Sequence, residues 1–421
     1  MKYVARWQSR AVQLLAFLAV GPFLVMPGLF GEMAFAQGAA PHLRKIRKEQ
    51  FPGSILALDL AATSNLAVVA LSGGRVRVWR IDTGETVHEF TFPEPDSALR
   101  DRDQVEPIRV GFSPDGKTLG ASHLSRIYLY DTADWREVGR FGVEGEDSVR
   151  PRPVPTPAPR PAYEEHRTAQ EMGQAYTEML AAGDGATRIT DFAFTPDGSA
   201  ILAAYCRGAC YDRRLFVWPS GKDPVRLWDA RSGQLLWEHV YSHEAVIEQV
   251  VPSPDGKLFA AASFQPGWRT VQVYDLKSGE RLSSLPPGRK DPDEVPSILF
   301  TPDSKRLITI RTDPLTRKFR PWEHLAMYDV HDGTKLADFP GQIRSSNADI
   351  SPDGRWLVAP PLNLMTFWIY DVETQKIVYY EKHLPWGWRD PVDRVRFDPS
   401  GRYLVVALWG LGKLAVYQIG P

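Results

Sequence analysis

One short turn, written six times, limits what this chain can fold into. It reads "FSPDGKTL" at 112–119, "FTPDGSAI" at 194–201, "PSPDGKLF" at 252–259, "FTPDSKRL" at 300–307, "ISPDGRWL" at 350–357 and "FDPSGRYL" at 397–404. Each copy lies between short alternating apolar runs, as "IRVGF" and "TLGAS" lie around the first. Proline fixes φ near −65° at the first corner. Asp or Ser accepts a local backbone hydrogen bond. Glycine then takes a left-handed conformation in which a side chain costs on the order of 1 kcal/mol. The parts make a hairpin with a loop of about three or four residues. Ser304 replaces the glycine in "TPDS", so that hairpin is expected to be the most strained. The motif bends the chain and needs no catalytic explanation.

Behind each hairpin a third strand ends in an aromatic-acidic pair. The copies are "IYLYDTADWREV" at 127–138, "VRLWDARSGQLL" at 225–236, "VQVYDLKSGERL" at 271–282, "LAMYDVHDGTKL" at 325–336 and "FWIYDVETQKIV" at 367–378. A polar turn follows, and then a fourth strand. The stretch "ILALDLAATSNLAVVALSGGRVRVWRIDTGETVHEF" at 55–90 shows the same plan without the proline turn, and the last unit stops after "LAVYQI" at 414–419. Seven units therefore start near residues 55, 108, 189, 247, 295, 347 and 392. A repeat of about 50 residues built from short strands predicts one supersecondary unit stacked around an axis. The expected fold is all-β, a seven-bladed β-propeller of four-stranded antiparallel sheets. The seventh unit lacks a strand, and "LRKIRKEQF" at 43–51 is otherwise unassigned. We expect residues 37–53 to supply that outer strand and so close the ring formed by 54–421.

The turn, the aromatic-Asp strand end and the "SG" turn together resemble the WD-repeat β-propeller family, or a closely related bacterial one, over nearly everything after residue 43. Only Trp228-Asp229 spells the eponymous dipeptide. "SHEAVIEQVVPSPDG" at 242–256 matches the family's histidine spacing at His243. Its blade ends in Tyr274-Asp275, so the family's His-to-Trp network is expected to be incomplete, with His243 a structural loop residue. The resemblance implies a fold and leaves function open, because propellers host many functions.

The N-terminus reads as an address. Lys2, Arg6 and Arg10 precede an apolar run from Ala11 to about Phe30, and "AFA" at 34–36 is a small-x-small cleavage pattern. Residues 1–36 are thus expected to be a signal peptide, leaving Gln37 first, with the protein periplasmic or secreted. The competing reading is an uncleaved anchor, since the run is nearly long enough to span. Export into an oxidising compartment would let Cys206 and Cys210, in "CRGAC", close a local disulfide. Free thiols and a catalytic role are the alternatives.

Fifty basic residues against fifty-one acidic give a net charge of −1, which argues against a nucleic-acid surface. The nine histidines are scattered, and no metal-ligand cluster, "GxSxG" elbow or phosphate-cradling loop is present in the sequence. No cofactor and no metal are expected.

If strands run in family fashion, the repeated turns share one rim and the irregular connections share the other. The latter carry Trp218, Trp268, Trp322, Trp386, Trp388 and Trp409 with Arg213, Arg214, Arg269, Arg320 and Arg389. Aromatics and arginines anchor interfaces; the alternative is that each tryptophan packs beneath its own loop. An insertion at 142–187 separates the second and third units. Its "PRPVPTPAPRP" at 151–161 favours a polyproline arm of roughly 30 Å. The helix expected after it carries an apolar stripe of Ala169, Met172, Tyr176, Met179 and Leu180, to cap the propeller or dock a partner.

A polar ring is expected at the channel mouth: Arg109, Asp191, Gln249, Ser297, Asn347 and Arg394 stand at one register of the innermost strands. Polar lining is also what any wet channel has. One carboxylate and two arginines suit holding an anionic group better than breaking a bond. The sequence thus favours an exported, non-catalytic scaffold binding a protein partner through its Trp/Arg-rich face. The alternative is a periplasmic lactonase- or quinoprotein-like enzyme acting on a small anionic substrate at the channel mouth.

Overall fold

The computed structural model describes residues 40–92, 108–142, 187–207, 224–240, 246–265, 268–285, 298–312, 323–341, 343, 348–361, 366–381, 392–408 and 412–420. The expected signal peptide at 1–36 and the insertion's residues 143–186 lie outside them. Twenty-eight strands form seven four-stranded antiparallel sheets, and no helix occurs among the described residues. The sheets are the blades of a propeller, numbered here from the one that begins at Ile55.

The first strand of each blade is innermost. These strands are Ile55–Leu60, Val110–Phe112, Thr187–Phe194, Val246–Pro252, Ile298–Phe300, Asp349–Ile350 and Val392–Phe397. Second strands such as Leu66–Leu71 and Tyr403–Leu408 are buried along their whole length. Their unbroken apolar sequences follow from that position, because both faces of such a strand pack on neighbouring blades. Outer strands such as Thr86–Thr91 are half-exposed and mix charge with apolar residues.

The core lies between the sheets. Leu58, Trp79, Val405 and Val416 pack between blades 7 and 1; Val68, Val78, Leu119 and Phe112 pack between blades 1 and 2. Ile201, Tyr205 and Phe141 fill the next seam, and Phe259 and Tyr274 the one after. Each blade therefore buries its apolar faces only by having neighbours, which is why the repeat must close on itself.

Closure is made by the strand His42–Gln50. It pairs antiparallel with Lys413–Gly420, from His42 opposite Gly420 to Gln50 opposite Lys413, with an irregularity between Lys45 and Arg47. Phe51 extends the latch by donating its N–H to Gly412 O at 2.7 Å. Gly412 has φ +63°, and a side chain there would collide with the carbonyls of Gly53 and Phe51.

Candidate functional site

The repeated turn is a self-contained hydrogen-bonded device. In blade 2 the Ser113 hydroxyl donates to Asp115 Oδ1 at 2.7 Å, while Lys117 N–H donates to the same oxygen at 3.0 Å. Thr118 N–H returns to Ser113 Oγ at 2.9 Å. The bonds from Lys117 and Ser113 hold the Asp115 carboxyl below the usual carboxylate range. Thr195–Asp197, Ser253–Asp255, Thr301–Asp303 and Ser351–Asp353 repeat the pairing at 2.5–2.7 Å. Blade 7 exchanges the roles, with Ser400 donating to Asp398.

The expected strain at Ser304 is present, with φ +60°. It is offset by a contact no glycine makes: Ser304 Oγ accepts the Asp255 N–H of blade 4 at 3.0 Å. In blade 1, Asn65 takes the left-handed conformation at φ +55°. The turn-bearing rim thus spends its polar groups on its own geometry.

The channel is more informative. An innermost strand is a sheet edge, and its backbone N–H groups need partners. Those partners come from the blade before. Asp59 Oδ2 of blade 1 accepts the Phe112 N–H of blade 2 at 2.7 Å. Asp191 of blade 3 accepts from Val250 at 3.0 Å, Gln249 of blade 4 from Ile298 at 3.1 Å, and Asp349 of blade 6 from Phe397 at 2.7 Å. Blade 2 reverses the polarity: Arg109 Nε donates to Thr190 O at 2.9 Å. Register irregularities just before Ala57, Asp191, Gln249 and Arg394 re-aim these strands at that level.

Charges of both signs line the ring. Burial pushes the Asp59 carboxyl up to about 6, against bonds from the Phe112 and Leu60 N–H groups and the attraction of Arg396. Burial also raises Asp191 against the pull of Arg109, whose Nε lies 3.8 Å from it, and raises Asp349 against the pull of Arg396. Arg394 is lowered to about 10 by burial, opposed by Asp393, with the Arg109 and Arg396 guanidiniums adding repulsion. Among the described residues no three His, Cys, Asp or Glu side chains group to hold a metal.

Of the six residues expected at the channel, Arg109, Asp191 and Gln249 carry inter-blade bonds, and Arg394 faces Asp393 at 3.3 Å. Ser297 and Asn347 lie outside the described residues. Three charged partners were not foreseen: Asp59, Asp349 and Arg396. Each lies on an innermost strand within the stretch that leads into its turn. The period-2 alternation of "LALDL", "ADI" and "RVRF" carried the signal.

On the opposite rim, the second strands of blades 3, 4, 5 and 7 end at Arg207, Gln265, Thr312 and Leu408. Trp268 and Arg269 begin the third strand of blade 4, opposite Gln265 and Phe264. Trp218, Trp322, Trp386, Trp388, Trp409, Arg213, Arg214, Arg320 and Arg389 lie outside the described residues, as does His243. Cys206 is buried and disulfide-bonded; Cys210, the other cysteine, lies outside them. The outer strands carry a further feature. Val138, Leu236, Leu282 and Leu336 occupy one register in blades 2 to 5 and are 48–55% exposed.

Sheets, latch and inter-blade bonds define a closed seven-bladed β-propeller. No family model matches the chain. It is 24% identical over 254 residues to a guanine nucleotide-binding protein subunit beta of Nicotiana tabacum, covering 59% of this chain and 64% of that one. A subunit of the same name from Nicotiana plumbaginifolia matches at 24% over 268 residues, with 62% and 66% covered. The Protein LST8 homolog of Drosophila melanogaster matches at 25% over 267 residues, with 60% and 76% covered. The chain spans less than two thirds of the length of the two plant subunits. These similarities, with the seven-bladed ring and its repeats, support a WD-repeat β-propeller.

Proposed function

We propose that this propeller is an exported, non-catalytic scaffold that binds a protein partner through its loop-rich rim. The observation that carries the reading is how unevenly the polar groups are committed. The turn rim satisfies its own carboxylates, and the channel carboxylates Asp59, Asp191 and Asp349 are bonded to the next blade. The connections leaving the other rim carry the tryptophans and arginines, residue types that anchor interfaces. Similarity to proteins named as subunits supports a place in an assembly.

The test is co-purification from the native membrane and periplasm with a tagged chain, comparing wild type with a Trp386→Ala/Trp388→Ala variant. The expected result is loss of the captured partner with the melting temperature unchanged. Capture that survives while melting collapses would mean the tryptophans pack beneath their own loops. N-terminal sequencing of the same preparation is expected to begin at Gln37; an intact Met1 would argue for a retained anchor.

A second reading has one observation in its favour. The Asp59 carboxyl, held at about 6 beside Arg396, is poised for proton transfer at the channel. Hydrolysis of small lactones by the purified protein, abolished by Asp59→Asn, would favour the enzyme; no turnover would favour the scaffold.

A further inference from the structure

Blades 2 and 6 depart from the repeat at one point, blade 6 with Gln375 at φ +55° and blade 2 with a far bulkier residue. The turn after the third strand has its left-handed position filled by Gly84, Gly233, Gly279 and Gly333 in blades 1, 3, 4 and 5, at φ +70° to +74°. In blade 2 that position is Trp135, at φ +61°, with the same closing bond from its N–H to the carbonyl of the strand-ending Asp131 at 2.8 Å. A bulky residue there is a backbone outlier, and such strain persists where surrounding contacts hold it.

The contact that holds it is aromatic. The Trp135 ring lies parallel to His88, on the outer strand of blade 1, with centroids 4.9 Å apart and 5° between planes. The run continues from His88 to Phe90 at 5.8 Å and from Phe90 to Tyr130 at 4.6 Å. Phe92 adds Tyr128 at 5.2 Å, and the Arg140 guanidinium sits 4.8 Å over the Tyr128 ring. Trp135, His88, Phe90, Tyr130 and Tyr128 are only half-buried, so the row is open to solvent along one side. Where blade 1 has His88, blades 4 and 5 have Ser283 and Ala337, whereas blades 3 and 6 have Trp237 and Tyr379; what sets the first seam apart is the turn tryptophan stacked on it.

We propose that this aromatic seam between blades 1 and 2 is a docking groove for an extended proline-rich chain, and that its occupant is the protein's own segment 151–161. Rows of half-exposed aromatic rings are the surface on which polyproline II segments dock, because such a segment is already extended and loses little freedom on binding. "PRPVPTPAPRP" is that kind of sequence.

Its position in the chain supplies the commitment to one occupant. The outer strand of blade 2 ends at Phe141 after pairing Arg140 with Tyr128 and Glu137 with Tyr130, so the chain leaves the sheet beside the groove. Residues 143–150 then reach at most about 30 Å when extended at 3.3–3.6 Å each, farther than the roughly 20 Å length of a six-residue strand. A tether this short raises the local concentration of the segment to about the millimolar range, so a weak contact suffices. The proposal is independent of the partner-binding rim.

A labelled peptide of residues 150–161 tests it by fluorescence anisotropy. The full chain is compared with a variant in which Pro151, Pro153, Pro155, Pro157, Pro159 and Pro161 are all changed to serine. The variant is expected to bind the peptide at least tenfold more tightly than wild type, whose groove is already filled. Adding Trp135→Gly to the variant is expected to abolish binding with melting unchanged, because glycine is what the matching turns of blades 1, 3, 4 and 5 carry. Three results would each overturn the proposal: no binding to the serine variant, binding that survives Trp135→Gly, or equal binding to wild type. The last would mean the groove is open to another molecule.

Discussion

The Asp59 carboxylate of blade 1 accepts the backbone N–H of Phe112 in blade 2 at 2.7 Å, across the joint between two sheets. The bond needs an acceptor but not a charge. Its carboxyl rises from 3.8 to about 6, so between these values the folded chain binds more protons than the unfolded one. Its contribution to stability is therefore present below about pH 4 and is lost as pH rises through 6. Asp59→Asn keeps an acceptor and removes the buried charge. It is expected to stabilise the protein by roughly 1–3 kcal/mol at pH 8 and by about a third as much at pH 4.5. Urea unfolding at the two pH values decides it. A loss of stability at pH 8 would show that attraction to Arg396 outweighs burial.

Ser304 separates backbone strain from hydrogen bonding. Its φ of +60° costs on the order of 1 kcal/mol. The Asp255 N–H it accepts returns a similar amount, about 1 kcal/mol. Ser304→Gly removes both and is expected to shift stability by less than about 0.5 kcal/mol. Ser304→Ala keeps the strain and leaves a donor without its acceptor, for a loss of roughly 1–3 kcal/mol. Chemical denaturation of the pair measures the difference.

The contrast between these two residues shows what a sequence discloses. Turn, strand alternation and unit length act within a few residues, so the seven sheets could be read from "SPDG", from the aromatic-Asp strand ends and from their spacing. The strain at Ser304 was visible for the same reason. Its compensation was not, because Asp255 belongs to another blade. The channel repeats the lesson. One register of polar residues was recognised, yet Asp59, Asp349 and Arg396 went unnoticed because their partners are in neighbouring repeats. Trp135 was written in the sequence at a glycine position, and its meaning depends on His88 across a seam. Local rules specify the blade, whereas the joints between blades are set by contacts far apart in sequence.

His88 should respond to pH in the sense opposite to Asp59. Burial lowers its pKa below the ordinary 6.5, so the folded chain resists the proton that the unfolded chain accepts. Stability is then lost as pH falls below about 6.5, with the full cost reached below the folded value. His88→Phe keeps a ring against Trp135 and removes the titration. Thermal melts from pH 7.5 to pH 5 are expected to fall less steeply for the variant than for wild type. Parallel slopes would show that His88 contributes no pH dependence.

The latch decides whether the seven sheets behave as one cooperative unit. Lys413–Gly420 is covered along its open side only by His42–Gln50, and Ile46 packs from that strand onto the core between blades 7 and 1. Ile46→Ser is expected to cost about 1–2 kcal/mol through lost burial alone. Gly412→Ala acts differently, because at φ +63° its new methyl group would meet the Gly53 and Phe51 carbonyls. Its expected cost is about 2 kcal/mol or more, as for other side chains forced into a special backbone position. Amide exchange locates the effect. If the latch holds the ring, both variants should speed exchange first at Leu414–Tyr417, ahead of the inner strands of blades 3 and 4. Uniform acceleration across all blades would show instead that the ring opens nowhere in particular, and that closure stabilises the whole without a weak point.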